Sequence, residues 1–200
     1  MKKLIISYLV LILFCLGTTN AAVINVGIGD EFSSISISGS DSLYMDGGIV
    51  HEDIRCYGNS TATFHGGTIV GLDSSVFAED FSSIYIYGGE FKTGVWARDN
   101  GHYYIYGGEF GEYSGNGLVA TDSAVIDIFG YDFSITEEPG EDPAFMNYHL
   151  SGKWEDGTPF NIDYGGYEPF TNEHINLHVV PEPTTFLLFG LGGLLIRKRT

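Results

Sequence analysis

The sequence predicts an all-β protein built as a right-handed parallel β-helix (β-solenoid) of about five coils. Three observations predict it: short segments of alternating apolar residues, a turn residue after each segment, and five copies of this pattern in the same phase. Consecutive copies lie 19, 22, 19 and 23 residues apart, a period typical of solenoid coils with two or three short strands. The glycines that mark the copies are Gly47, Gly66, Gly88, Gly107 and Gly130.

The first element, residues 1–21, has the pattern of a secretory signal peptide. Two lysines precede an apolar run from Leu4 to Leu16, and small residues follow it. The run is too short for an ordinary membrane-spanning helix, so we expect a signal helix that signal peptidase removes after Ala21 or Ala22. Its removal would leave Cys56 as the single cysteine, which excludes an intramolecular disulfide.

Residues 22–133 carry the solenoid repeats, in which alternation assigns every second side chain to the core. On the second strand of each coil the predicted inward pairs are Leu43/Met45, Ala62/Phe64, Ile84/Ile86, Tyr103/Ile105 and Ile126/Ile128. On the strand before it they are Ile35/Ile37, Ile54/Cys56, Val76/Ala78, Val95/Ala97 and Leu118/Ala120. A third ladder comprises Val50, Ile69, Phe91, Phe110 and Phe133. An antiparallel β-sandwich is the alternative fold, but it does not predict the same residue types at the same phase of five successive repeats.

Residues 134–180 depart from the repeat and are predicted to cap it. Residues 134–143 are acidic and contain two prolines, which indicates an exposed loop. An Asp156-Gly157 turn between two strand-like segments indicates a β-hairpin, and residues 174–180 form a last alternating strand. Such a cap would cover the apolar end of the final coil.

The charge of the chain excludes one class of function. The formal net charge is −17, and basic residues concentrate at the two ends. From Ala22 to Val180 the chain has 4 basic and 25 acidic residues, a balance of −21. A surface of this sign repels the phosphates of DNA and RNA, so we expect no nucleic-acid partner.

The last segment, residues 181–200, joins a short motif to an apolar stretch and a basic end. The apolar stretch, Thr184 to Ile196, is shorter than the roughly 20 residues of a stable transmembrane helix. We therefore expect a hydrophobic helix that anchors a precursor only transiently in the inner membrane, with its basic end in the cytoplasm. The motif residues are Pro181, Glu182 and Pro183, and the basic residues are Arg197, Lys198 and Arg199.

This tail closely resembles the PEP-CTERM sorting signal, which exosortase-type membrane proteases recognise in Gram-negative bacteria. The resemblance covers residues 180–200 and is strengthened by the signal peptide at the other end. It implies export, processing by an exosortase near the Pro-Glu-Pro triplet, and release to the cell surface or an extracellular matrix. Proteins of this kind often accompany exopolysaccharide production, which makes an exopolysaccharide an expected partner.

Four tyrosines form a candidate glycan-binding face. Tyr85, Tyr87, Tyr104 and Tyr106 occupy outward positions of two adjacent coils, where flat rings could stack on sugars. The simpler interpretation is that tyrosines in register stack on one another and stabilise the coils.

Acidic side chains also recur in phase. Glu90, Glu109 and Asp132 are expected at one outward position of three consecutive coils, where oxygen ligands could bind Ca²⁺. The alternative is a solvated acidic stripe, and no other cofactor is indicated. Asp80, Asp99 and Asp122 form a second series, for which bonding to the local backbone is the expected role.

The sequence favours a non-enzymatic function. Parallel β-helices include polysaccharide lyases and hydrolases, whose sites need clustered carboxylates beside an outward basic residue. Arg55 and Arg98 point outward but are two coils apart, and no catalytic triad is evident. We expect an exported structural or adhesive protein of the cell surface, and the alternative is a glycan-binding module or a polysaccharide-active enzyme.

Overall fold

The computed structural model describes residues 21–71, 76–111, 117–139, 145–167 and 174–182, and these residues form a β-solenoid of about five turns without any helix. The fold predicted from the repeats is thereby confirmed at this level. The strands in chain order are β1 (Val23–Val26), β2 (Glu31–Phe32), β3 (Ile35–Ile37), β4 (Ser42–Val50), β5 (Ile54–Cys56), β6 (Thr61–Ile69), β7 (Val76–Ala78), β8 (Ser83–Ile86), β9 (Glu90–Phe91), β10 (Val95–Ala97), β11 (His102–Ile105), β12 (Glu109–Phe110), β13 (Leu118–Ala120), β14 (Val125–Pro139), β15 (Phe145–Lys153), β16 (Pro159–Tyr167) and β17 (Ile175–Val179).

The strands stack in three parallel ladders along the rod. Sheet 1 contains β3, β5, β7, β10 and β13. Sheet 2 contains β1, the first halves of β4 and β6, then β8, β11, β14 and β17. Sheet 3 contains β2, the second halves of β4 and β6, then β9 and β12. Each coil therefore contacts mainly the coil before it and the coil after it, as in other solenoids.

The core lies between the three sheets, and it consists of the predicted ladders. The predicted inward pairs of sheets 1 and 2 are all buried, and so is the third ladder as far as Phe110. Phe133, at the end of that ladder, is only partly buried. Cys56 is fully buried among aliphatic side chains, and burial raises the pKa of its thiol to about 12. Cys56 therefore packs as a small apolar residue, as predicted.

A single turn position explains the alternation of glycine and aspartate between sheets 1 and 2. Its residues have left-handed backbones in every coil, with φ of 64°, 64°, 57°, 56° and 60° at Gly39, Gly58, Asp80, Asp99 and Asp122. Glycine adopts this conformation freely, and aspartate tolerates it better than most residues. The Asp80 carboxylate accepts a hydrogen bond of 2.9 Å from the Gly58 amide of the preceding coil, so it also ties two coils together.

Four coils have a glycine pair at the corner between sheets 2 and 3, and the two glycines meet separate requirements. A Cβ atom on Gly107 would lie 2.4 Å from the carbonyl oxygen of Tyr87 in the preceding coil. Gly108 has a φ of 107°, which other residues rarely adopt. The first glycine thus permits close approach between coils, and the second permits the corner into sheet 3.

The N-terminal end contains an incomplete coil that the repeat analysis did not include. Strand β1 pairs in parallel with β4, with Val23 opposite Ser42, and β2 pairs with the second half of β4. The segment from Val23 to Phe32 therefore supplies a sheet 2 strand and a sheet 3 strand ahead of the first full coil. A signal was present, because Gly-Asp-Glu-Phe at 29–32 follows the same pattern as Gly-Gly-Glu-Phe at 88–91.

The C-terminal end differs in part from the prediction. Residues 134–139, expected as loop, continue β14 and pair antiparallel with β15, so this expectation was wrong for them, while 140–144 lie outside the described residues. The hairpin is present as β15 and β16, joined through 154–158 rather than by a two-residue turn. Strand β16 reaches β13 at Tyr164, and β17 adds a parallel strand to β14.

The terminal segments of the precursor lie beyond the part of the chain that the structure describes. Residues 1–20 of the predicted signal peptide (1–21) and the predicted hydrophobic helix at 184–196 are outside it, as are Pro183, Arg197, Lys198 and Arg199. Within the described ranges, no helix is long and apolar enough to cross a membrane.

Candidate functional site

The outer surface of sheet 2 carries a continuous column of stacked rings. The successive ring centroids of His65, Tyr87, Tyr106, Phe129 and His178 lie 4.8, 4.9, 4.4 and 4.6 Å apart, and their planes differ by 8° to 13°. These spacings follow from the strand separation of about 4.8 Å, because residues in register on parallel strands repeat at that distance. The column thus spans five coils of the solenoid.

The predicted tyrosine face takes part in two such stacks. Tyr87 and Tyr106 belong to the column, whereas Tyr85 and Tyr104 form a neighbouring pair with centroids 4.8 Å apart and planes 8° apart. Because each ring covers the face of the next, the tyrosines present their edges and hydroxyl groups, not their faces, to solvent. Stacking of a sugar on these faces, the geometry that made them candidates, would require the stacks to separate.

The hydroxyl groups of this surface are crowded. Partial burial first, and the neighbouring Tyr85 and Asp127 second, raise the pKa of Tyr104. Partial burial and the adjacent Tyr87 raise the pKa of Tyr106 in the same way. The hydroxyl groups of Tyr104 and Tyr106 therefore stay protonated at neutral pH and can donate hydrogen bonds.

In the next coil, Asp127 occupies the position that a tyrosine has in the coil before it, and several polar side chains contact its carboxylate. Its Oδ2 lies 2.6 Å from Nε2 of His102, and its Oδ1 accepts from Nδ2 of Asn176 and lies 2.9 Å from Nε2 of His178. Burial alone would raise the pKa of Asp127, but the hydrogen bonds from His178, Asn176 and His102 outweigh it and lower that pKa. This cluster fastens β17 to β14 and β11. The repeat pattern did not predict this cluster, because Asn176 and His178 lie about fifty residues after Asp127, beyond the repeats.

A groove of about 470 Å³ runs beside the aromatic column, at the corner between sheets 2 and 3. One wall contains Tyr87 and Tyr106, and the glycine pairs of two coils form the floor. The connection between β15 and β16 supplies the other wall. This connection contributes Trp154, Asp156 and Thr158, and Glu90 and Glu109 also line the groove. Aromatic edges, hydroxyl groups and carboxylates therefore meet in one open groove, which suits hydrogen bonding to a polyhydroxylated ligand.

The acidic series predicted as a calcium site is only partly assembled. Glu90 and Glu109 are in register on β9 and β12, and Glu90 forms an ion pair with Lys92. Asp132 leaves the series: it has a φ of 55° and its carboxylate accepts a 2.7 Å hydrogen bond from Lys153 on β15. In the described ranges, no three His, Cys, Asp or Glu side chains form a group that could hold a metal ion.

Arg55 and Arg98 lie two coils apart, as the sequence indicates, and contact the same aromatic ring on the outer surface of sheet 1. The guanidinium carbons of Arg55 and Arg98 lie 4.4 and 5.4 Å from the ring centroid of Phe77, which sits in the coil between them. Arg98 also lies 5.0 Å from the Trp96 ring, and Arg55 pairs with Asp53 at 2.9 Å. These contacts hold coils together through cation–π interactions and give the arginines a structural role.

Both predicted processing sites adjoin terminal strands of sheet 2. Ala22 precedes β1, and its amide donates a 2.8 Å hydrogen bond to the Asp41 carboxylate. At the other end, β17 ends at Val179, and the exposed Pro181 and Glu182 follow after Val180. Residues 179–199 match the family model for the PEP-CTERM protein-sorting motif.

The PEP-CTERM motif indicates how the protein is exported and processed. It implies an exported protein whose membrane-anchored precursor is sorted to the cell surface, with an exosortase as the processing partner. The motif covers only the tail and says nothing about the groove or the aromatic column. No curated protein and no solved structure matches the chain.

Proposed function

We propose that this protein is a non-enzymatic structural or adhesive component of the cell surface or extracellular polymer, delivered through its PEP-CTERM tail. The observation that carries the proposal is the aromatic column on sheet 2. Its ring faces are occupied by one another, which is what a stiff, self-supporting rod requires and what a sugar-stacking catalytic platform would avoid. The sorting motif supports the location, because it implies export.

Delivery is tested by replacing the motif. Pro181→Ala/Glu182→Ala/Pro183→Ala should leave the protein in the membrane fraction, and the wild-type protein should reach the surface or the medium. A matched triple substitution at exposed serines, Ser33→Ala/Ser34→Ala/Ser36→Ala, would report general effects on export. Unchanged release of the motif variant would refute sorting by this tail.

The absence of catalysis is tested directly on the producing strain's exopolysaccharide. Incubation with the released protein should yield neither new reducing ends nor the ultraviolet absorbance of unsaturated uronates, the products of hydrolases and lyases respectively. Deletion of the gene should instead weaken the cohesion of the polymer or of cells within it. Polysaccharide cleavage that depends on Glu109 or Asp156 would overturn the proposal in favour of an enzyme.

A second candidate function is glycan binding in the groove. It is favoured by the meeting of Tyr87 and Tyr106 with Glu90 and Glu109 along one open channel. Because the ring faces are covered, recognition would depend on hydroxyl groups and carboxylates. Glu109→Gln should then weaken retention on an exopolysaccharide column, and Glu52→Gln, at an exposed position away from the groove, should not. Equal retention of both variants and the wild type would exclude this site.

A further inference from the structure

The two ends of sheet 2 each present a strand with one unpaired edge. Among the described residues, β1 pairs in sheet 2 with β4 alone, and β17 pairs with β14 alone. All seven strands of the sheet are parallel, so its two edges face opposite ends of the rod. A second copy displaced along the rod would bring its β1 to β17 in the parallel orientation that every other pair already has.

Neither edge carries the features that usually prevent strand addition. Natural edge strands are commonly protected by charged residues, proline or bulges. Strand β1 reads VINV and β17 reads INLHV, with no proline, carboxylate, lysine or arginine in either. This is unusual in a chain whose middle has a balance of −21, and it leaves both edges open to pairing.

The two most accessible large apolar side chains of the described residues lie at these ends. Ile28, just after β1, is 94% exposed, and Val179, at the end of β17, is 77% exposed. Val23, at the start of β1, is 65% exposed. Exposed apolar residues at strand edges are typical of interfaces between protein molecules.

The register of the solenoid brings these residues together. Ile24 and Val26 lie opposite Leu43 and Met45, and along the same two inward ladders the last residues are Ile175 and Leu177. Ile28 follows Val26 by two positions, as Val179 follows Leu177. One more step of the ladder would therefore place Ile24, Val26 and Ile28 of the next copy on Ile175, Leu177 and Val179. Outward, Asn25 of that copy would meet Asn176.

We propose that processed copies of this protein join head to tail, with β17 of one molecule pairing in parallel with β1 of the next. The partner is a second copy of the chain, and the product is an unbranched filament in which sheet 2 is continuous. The proposal rests on the proposed function in one respect: cleavage beside Ala22 and at the Pro-Glu-Pro motif removes the segments that flank the two edges. The acidic sides of the rods repel one another, which favours end-to-end over lateral association.

The joint involves one sheet of the three. At the C-terminal end β16 covers sheet 1 through Tyr164, and the β15–β16 hairpin covers the adjacent corner, so sheet 2 provides the open edge. An interface of one strand pair and three apolar contacts is small, and we expect association to be weak in dilute solution and favoured on a crowded surface.

The test uses protein released by the producing cells, so that both ends are processed. Release itself is scored first, by the amount of protein in the medium, and its failure would count against sorting, not against assembly. Sedimentation velocity of the released protein over a wide concentration range should show an open-ended series of linear oligomers. Electron microscopy should show unbranched filaments one molecule wide.

Variants that introduce a charge at either edge test whether these two edges form the joint. Ile28→Lys and Val179→Glu should each raise the dissociation constant by about tenfold or more, because each buries an unpaired charge. Mixing the two variants should restore assembly, since the lysine end of one meets the glutamate end of the other. Phe81→Lys is the matched control, because Phe81 is 66% exposed but lies on the side of the rod.

Four results would overturn the proposal. A released protein that stays monomeric at every concentration has no such joint. A series that stops at the dimer indicates a symmetric contact in place of a head-to-tail one. Equal loss of assembly in Phe81→Lys, or no recovery when the two charge variants are mixed, places the contact elsewhere.

Discussion

At the scale of single residues, one tyrosine of the core is held in place by a hydrogen bond from its buried hydroxyl group. Tyr103 is inward on β11, where other coils have aliphatic residues, and it is fully buried. Its hydroxyl donates a 2.6 Å hydrogen bond to the carbonyl oxygen of Val76 on sheet 1. Burial raises the pKa of Tyr103 well above its usual value, so the hydroxyl remains a donor. It thus links two sheets across the core.

Tyr103→Phe should lower the free energy of unfolding by about 1 kcal/mol, because it removes this bond while keeping the ring. Urea unfolding followed by circular dichroism would measure the change. The adjacent Tyr104→Phe, which alters an outward hydroxyl, is the control and should change stability by less than about 0.5 kcal/mol. A larger loss in the control would contradict the assignment.

Asp127 makes a pH-dependent contribution of known sign. Its folded-state pKa is lowered, so its stabilising effect is present above the unfolded-state pKa of about 4 and is lost as the pH falls through the folded-state value. Asp127→Asn should cost about 2 kcal/mol at pH 7, since charged hydrogen bonds from β17 and β11 are lost.

The difference between wild type and Asp127→Asn should shrink below about pH 4. Unfolding free energies measured at several pH values from 7 to about 3 would follow it. Asp46→Asn, at an exposed position of the same surface, should show no comparable effect. A wild-type advantage that is constant over the whole range would mean that ionisation of Asp127 is not involved.

At the scale of the structural elements, the corner between sheets 1 and 2 shows why two residue types alternate in the repeat. Asp99 has a φ of 56° in a position where the first two coils have glycine. Backbone conformation, not the carboxylate, is therefore the requirement that all five coils share.

Asp99→Ala should destabilise the protein by about 1 kcal/mol, because the Cβ atom of alanine makes a left-handed backbone unfavourable and its side chain cannot form a compensating hydrogen bond. Asp99→Gly should be within about 0.5 kcal/mol of the wild type, since glycine fills this corner in two coils. Thermal unfolding of both variants measures the difference. Equal stability of the two variants would show that the left-handed backbone at residue 99 is not the requirement at this corner.

Elements with a repeating signal could be predicted from the sequence, and those without one could not. The alternation of Ile84 and Ile86, or of Ile126 and Ile128, determines which face is buried without knowledge of any partner. The extension of β14 through residues 134–139 could not be foreseen. Its acidic residues and proline favour a loop, and only pairing with β15 makes them a strand.

The same contrast applies to the candidate site. Register predicts that Tyr87 and Tyr106 lie side by side, but not that their faces are in contact, because ring orientation depends on packing. The groove depends on Trp154 and Asp156, whose position follows from how the hairpin folds back on the solenoid. No spacing in the sequence encodes that approach.

At the scale of the whole molecule, charge opposes the compact state. A rod with a balance of −21 repels itself, and only four basic residues, Arg55, Lys92, Arg98 and Lys153, lie between Ala22 and Val180. Three of them form ion pairs with nearby carboxylates: Arg55, Lys92 and Lys153. The same segment has 25 acidic residues, so four cations cannot neutralise most of its negative charge.

Sodium chloride should therefore raise the melting temperature of the released protein, because the Debye length falls from about 30 Å at 0.01 M to about 8 Å at 0.15 M. EDTA at constant ionic strength should leave that temperature unchanged, since Glu90 and Asp132 already have lysine partners. Differential scanning fluorimetry would measure both effects. A clear decrease with EDTA would revive calcium binding by the acidic series.

The translational repeat of sheet 2 also bears on how such a chain can evolve. His102 on β11 occupies the place that Ser83 occupies on β8, so deleting residues 83–101 would join equivalent positions and leave every ladder continuous. Unequal recombination within the gene can thus remove or duplicate a coil without requiring a new core. The length of the solenoid thereby becomes a heritable property, adjustable in steps of about 4.8 Å.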